Sequence, residues 1–414
     1  MGKRFAPRLL LSSIVLLCFL LLTAGEALSG TEPRVAVPSK RPRLETPAAG
    51  GPSVPPDGEL SLAFAGDIMA HPINFTKRPY SAIYDAVSPV LHSADLAFAN
   101  LELTVDPALP LAGWPRFAIH PDYIQAAIDA GFNVFSDANN HIYDYGAEGV
   151  ESTYRVMDHF ARTENIHFSG IRPSPETPMR PVTIEERGFR IGYLAITEFL
   201  NYGLRSDLVN VVDYRDPAER ERFISYLRTI TKQYDLFILS VHGGVEYDLT
   251  PEAAKREFFH EAVEAGVGIV WSQHPHVLEP WEVVTLDGVR RLIIYSNGNF
   301  ISGQISGINP ETPWVARCYT GDSAVFRVRV GRVDGRVTVV SVDPLLISNY
   351  KNREGEMVVR PLSQLAEDRL PGPWSAYYRY RYEVMRALVA RADAPDGKRV
   401  AAPEPAGLPV ILSR

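Results

Sequence analysis

Five short apolar runs, each closed or followed by a metal-ligating type of residue, constrain the fold of this chain more than any other feature. Leu60 to Ala65 leads into Gly66-Asp67, and Asp95 to Asn100 is followed by Glu102. Phe132 to Ser136 precedes Asn139-Asn140-His141, Asp235 to Val241 ends in His242, and Gly268 to Trp271 is followed by His274-Pro275-His276. Runs this short and this uniformly apolar read as buried sheet strands. Amphipathic stretches at Asp122–Ala130, Ala218–Tyr234 and Pro251–Ala265 lie between them. Strands alternating with helices predict an α/β fold. Later runs, Val283–Leu286, Arg291–Ser296, Ala324–Val330 and Val337–Val342, follow one another without a long helix and predict antiparallel strands. The expected fold class is therefore α/β, a mixed-sheet sandwich flanked by helices.

The chain ends read differently. Lys3, Arg4 and Arg8 precede the apolar run Leu9–Leu22 and the small residues Ala24, Gly25, Ala27 and Ser29, the pattern of a secretory leader over residues 1–29. Cleavage would release an exported protein, periplasmic or at the cell surface. An uncleaved leader would leave a short anchor in the cytoplasmic membrane. Residues 30–58 are rich in Pro and Gly, as a tether is. The folded domain is expected over 59–347. A C-terminal helical extension and tail follow over 348–414, with helical spacing in Tyr377, Tyr380, Val384 and Leu388. Only Cys18 and Cys318 occur, so a chain without its leader holds no internal disulfide. The net charge of -7 lacks the basic excess of a nucleic-acid binder, and no nucleic-acid partner is expected.

In open α/β sheets, ligands bind in the crevice outside the carboxyl ends of the strands. Asp67, Glu102, Asn140, His141, His242, His274 and His276 all fall at such positions. Hard oxygen and imidazole donors together suit Mn, Fe or Zn, as one ion or as a binuclear centre. His274-Pro275-His276 is the most specific local piece: in an extended segment, two imidazoles one residue apart face the same side. Any single histidine could equally be a hydrogen-bonded loop residue; the joint placement argues for a shared site. His71, His92, His120, His159, His167 and His260 lie in helical or connecting segments and read as surface or capping residues. Asn299, after a strongly apolar strand, either lines the crevice or serves a turn. Glu246 either touches substrate or orients His242, or is a solvated loop carboxylate.

Six segments together resemble the CapA proteins of poly-γ-glutamate capsule biosynthesis, a branch of the calcineurin-like metallophosphoesterase superfamily. They are Phe64-Ala-Gly-Asp67, Asn100-Leu-Glu102, Ala138–Gly146, Val241–Tyr247, His274-Pro-His-Val277 and Tyr295–Phe300. The resemblance implies a metallophosphoesterase-like four-layer α/β/β/α domain. It makes Asp67 the first-strand ligand and puts Glu102 at the bridging position. Asn140 becomes an amide ligand, and His242, His274 and His276 complete the shell. His141 becomes the catalytic histidine, while Glu246 and Asn299 stay as substrate-binding candidates. Two departures stand out: Met69 occupies the superfamily's usual histidine position, and Glu replaces Asp at the bridge. Gly243, where Trp is common, and Ser272, where Gly is common, are milder ones.

Three functions follow as expectations. The first is an exported protein of anionic polymer or capsule biosynthesis with a metal-dependent phosphoesterase site. The second is a non-catalytic polymer assembly or export factor with a degenerate site. The third is a periplasmic phosphodiesterase or nucleotidase. Expected partners are an anionic polymer or a phosphoester, and membrane proteins of a polymer synthase or export complex.

Overall fold

The computed structural model describes residues 58–203 and 206–390. The expected leader, the tether up to residue 57 and the tail from 391 lie outside the described residues.

Strand β1 (Leu60–Ile68) comes first, followed by the short helices α1 (Pro72–Phe75) and α2 (Ser88–His92) and by β2 (Leu96–Leu101). The short strands β3 (Thr104–Val105) and β4 (Ala118–Ile119) precede α3 (Pro121–Asp129), β5 (Val134–Ser136), α4 (Gly146–Thr163) and β6 (His167–Ser169). A hairpin, β7 (Val182–Glu186) with β8 (Phe189–Thr197), leads into α5 (Pro217–Ile230), β9 (Leu236–His242), α6 (Ala253–Glu264) and β10 (Ile269–Gln273). Next come β11 (Trp281–Leu286), β12 (Val289–Ile294), β13 (Asn299–Ile301), β14 (Asp322–Val333), β15 (Arg336–Lys351) and β16 (Met357–Pro361). Helices α7 (Leu362–Glu367) and α8 (Trp374–Val389) follow.

One sheet runs in the order β16-β15-β14-β1-β2-β5-β6, with β13 also paired to β1; the other runs β11-β12-β10-β9-β8-β7. In the first, β1, β2, β5 and β6 are parallel and β14 to β16 antiparallel. In the second, β8, β9, β10 and β12 are parallel and the edges antiparallel. The mixture of strand directions matches the sequence expectation.

Side-chain alternation along the strands sets the layers. Leu60, Leu62 and Phe64 of β1 point between the sheets, against Phe98, Tyr193 and Trp271. Ala63 and Ala65 point the other way, into a core with Tyr123 and Ile124 of α3 and Met157 and Phe160 of α4. Across the second sheet, Phe237, Leu239 and Val241 face outward to Phe223 and Leu227 of α5 and Phe258 and Phe259 of α6. The order is thus α/β/β/α, and strands buried on both faces explain why the apolar runs lack a polar alternation. Each buried large side chain contributes ~1.5–3 kcal/mol. The Trp271 indole also donates to the Ala65 carbonyl at 2.9 Å, tying the sheets together.

The expected boundary between 347 and 348 falls inside β15, which continues to Lys351 and pairs with β16. Tyr377, Tyr378 and Met385 of α8 enter the inter-sheet core. Residues 348–390 therefore complete the folded body, because the inner faces of β14 and β15 need a cover that α8 supplies.

Candidate metal centre

The parallel strands of both sheets deliver their carboxyl ends to one place. Asp67 sits near the end of β1, behind a glycine that has no alternative. A Cβ on Gly66 would lie 1.7 Å from the Gly298 carbonyl oxygen, which accepts from the Asp67 amide at 3.1 Å. Glu102 follows β2, the Asn139-Asn140-His141 segment follows β5, His242 ends β9, and His274 and His276 follow β10.

Glu102 occupies the middle. Its Oε1 is 3.8 Å from His242 Nε2, 3.8 Å from His276 Nε2 and 4.0 Å from His141 Nε2. Asp67 faces the same space, with Oδ1 3.9 Å from His242 Nδ1 and Oδ2 3.5 Å from His276 Nδ1. Two donor sets arise, Glu102 with His242 and His274, and Asp67 with Glu102 and His276, the atoms of each within 4.8 Å of one another. Glu102 belongs to both.

Asp67, Glu102 and His242 are fully buried. Yet Asp67 Oδ2, both Glu102 oxygens and His274 Nδ1 have no hydrogen-bond partner among the described residues. An unpaired buried carboxylate costs several kcal/mol, so donors left bare in this arrangement fit a divalent cation well. Burial, and then the neighbouring Asp67, push the Glu102 carboxyl well above its ordinary range; a cation would reverse that preference. Burial, then His274 and His276, hold His242 well below the usual imidazole range. Burial and His276 do the same to His274. Neutral imidazole is the ligating form.

A surrounding network orients these rings, its tautomers inferred from the hydrogen bonds. Asn100 Nδ2 donates to Asp67 Oδ1 at 2.8 Å and lies 3.2 Å from His242 Nδ1. Asn140 Oδ1 lies 2.8 Å from His242 Nε2. His276 Nδ1 donates to Asn299 Oδ1 at 3.0 Å, leaving Nε2 turned toward Glu102. His141 Nδ1 donates to Asp144 Oδ2 at 2.8 Å, which aims its Nε2 at Glu102.

Several expectations change. The His-Pro-His segment is not extended: His274 has φ 99° and His276 φ 58°. Two non-glycine residues in the left-handed region carry backbone strain, of order 1–3 kcal/mol each, and the turned backbone aims both rings inward. Asn299, a substrate-binding candidate, is fully buried. Its amide donates to the His276 carbonyl, Thr320 carbonyl and Gln304 Oε1, so it stands behind His276. Glu246 is exposed, as a solvated loop carboxylate is, and near enough to raise the Glu102 carboxyl further. Met69 is buried in the apolar core on the helix side of β1.

Three residues of the surroundings escape a reading of apolar runs. Asn100 is hidden inside one. Asp144 is signalled only by its spacing of three from His141. Glu198 follows β8; its carboxylate accepts from the Gly244 amide at 3.0 Å and pairs with Arg215 at 2.7 Å. A Cβ on Gly243 would meet Glu198 Oε2 at 2.7 Å, which accounts for glycine there. His71 is the N-cap of α1, as a capping reading expects, and its ring also packs edge-on against Phe117, as His141 does from its own side.

The family model described as "Bacterial capsule synthesis protein PGA_cap" matches residues 61–304. The chain belongs to this family. Among its relatives, the "PGA biosynthesis protein CapA" of Bacillus subtilis (strain 168) is 28% identical over 260 residues, covering 60% of this chain and 64% of the relative. The "Capsule biosynthesis protein CapA" of Bacillus anthracis is 27% identical, covering 59% of this chain and 60% of the relative. The chain thus matches less than two thirds of the length of these curated relatives. Among solved structures, a hypothetical protein from Thermus thermophilus matches with TM-score 0.40 and 16% identity, over 69% of this chain and 98% of that one. The calcineurin-like phosphoesterase YfkN from Bacillus subtilis matches with TM-score 0.37 and 12% identity, over 80% of this chain and 100% of that one. Among the described residues of this PGA_cap protein, no helix is long and apolar enough to cross a membrane.

Proposed function

We propose that this chain is an exported protein of anionic polymer biosynthesis, of the capsule or poly-γ-glutamate type, whose buried cluster binds divalent ions and hydrolyses a phosphoester. The observation that carries the reading is Glu102: buried, unpartnered at both oxygens, and common to two donor sets. Asp67, Asn140, His242, His274 and His276 would hold the ions beside it, as Mn, Fe or Zn. Such ions polarise a phosphoryl group and make water a nucleophile near neutral pH.

The residues of the chain do the rest. Asp144 accepts the Nδ1 proton of His141, so the Nε2 edge of that ring is turned toward Glu102; in its imidazolium form, which Asp144 stabilises, the ring would carry a second proton on Nε2 to hand to the leaving oxygen. Asn299 and Asn100 fix the rings of His276 and His242 before substrate arrives. Membrane proteins of a polymer synthase or export complex are the partners this reading implies.

The test is a panel of phosphoesters assayed with metal-loaded protein. Asp67→Ala and His276→Ala should each abolish hydrolysis and lower bound metal. Full metal content and full hydrolysis in either variant would sink the reading. A specific observation favours a second one, a non-catalytic assembly or export factor: Met69 lies in the apolar core where the superfamily's usual histidine is absent. A protein that binds poly-γ-glutamate but turns over none of the panel would support it.

A further inference from the structure

Beyond the metal donors, one imidazole near the cluster is built in from several sides. The His71 amide donates to Asn74 Oδ1 at 2.9 Å, fixing the backbone at the start of α1. The Gly303 amide donates to His71 Nδ1 at 3.1 Å. A Cβ on Gly303 would lie 2.6 Å from His71 Cβ, so residue 303 must be glycine for this approach to exist. Phe117 lies beside the ring, 5.2 Å away between centroids, and contacts His141 at 4.7 Å. His71 is only partly buried, whereas the metal donors are closed off.

An Nδ1 that accepts from an amide carries no proton, so the neutral ring must hold its proton on Nε2. Burial, then His276 and His141, lower its pKa to about 4, consistent with a neutral ring and with a place within electrostatic range of both histidines. Phe117, in contact with both rings, sets His71 next to His141, and a neutral N–H donor there suits an anionic oxygen of a ligand bound beside His141.

We propose that His71 is a substrate-contacting residue whose Nε2–H donates to a non-bridging phosphoryl oxygen of the phosphoester. This rests on the phosphoesterase reading. It assigns the residue no metal, because Nδ1 is taken by Gly303 and Nε2 carries the proton.

The full chain, loaded with Mn, is tested with orthophosphate by calorimetry and with bis(p-nitrophenyl) phosphate by turnover. H71F should weaken phosphate binding and raise KM, each about tenfold, the size of one lost charge-assisted hydrogen bond. Its kcat should stay within about threefold and its Mn content should be unchanged. H71Q, which keeps a donor, should recover part of both. Histidine 15N spectra of the metal-free wild type should contain an Nε2–H tautomer signal that is lost in H71Q while the other histidine signals remain. Unchanged phosphate affinity and KM in H71F would overturn the proposal. Mn lost in H71Q would overturn it by making His71 a ligand, and equal impairment of H71Q and H71F would reduce it to a structural role. A wild type that neither binds phosphate nor turns over the ester refutes the phosphoesterase reading itself, a result separable from the others.

Discussion

Asn299 and His276 illustrate how single residues decide what the cluster can do. The Asn299 carbonyl takes the Nδ1 proton of His276, and its amide group is held by the Thr320 and His276 carbonyls and by Gln304. The ring can then turn in only one way, with Nε2 toward Glu102. Removing such a partner typically lowers metal affinity 10–100-fold. Asn299→Ala should therefore weaken metal binding by about 10–100-fold in a chelator-competition titration while the fold persists; unchanged affinity would show that His276 needs no such support. The sequence makes the donors themselves legible, because a charged or imidazole residue at the end of an apolar run stands out. Their supports are less so. Asn100 resembles any strand residue until β1 and β2 pair, and His71 acquires its meaning only when Gly303, 232 positions away, closes on it.

At the scale of elements, legibility follows strand burial. The runs that became β1, β2, β5, β9 and β10 are apolar on both faces because each lies between two layers. β13 opens on the polar Asn299 and so lacks the apolar run that marks β5, and the C-terminal segment resembles a detachable helix because its polar contacts are remote. Those contacts anchor it. Arg381 of α8 donates through Nε to Asp322 of β14 at 2.6 Å, and through Nη1 to the Pro313 carbonyl at 3.0 Å. Both charges are fully buried, and the guanidinium lies 4.0 Å over the Tyr319 ring. Breaking one side of a buried pair leaves an uncompensated charge and costs about 3–5 kcal/mol. Arg381→Met should lose about that much stability in urea unfolding. A loss below about 1 kcal/mol, as for exposed pairs, would mean that α8 is an appendage after all.

For the whole molecule, two sheets bring the ends of their parallel strands to a common edge, so residues up to 209 positions apart, Asp67 and His276, meet within 3.5 Å. The fold places carboxylates and imidazoles there; what they do depends on whether ions fill the space around Glu102. Because that residue is common to both donor sets, a single amide substitution should empty both. Metal content per chain, by mass spectrometry on protein equilibrated with Mn, Fe or Zn, tests this most directly. The expected result is up to two ions per wild-type chain and loss of both in Glu102→Gln. A wild type that binds none of the three metals, or a Glu102→Gln variant that keeps the full complement, would contradict it.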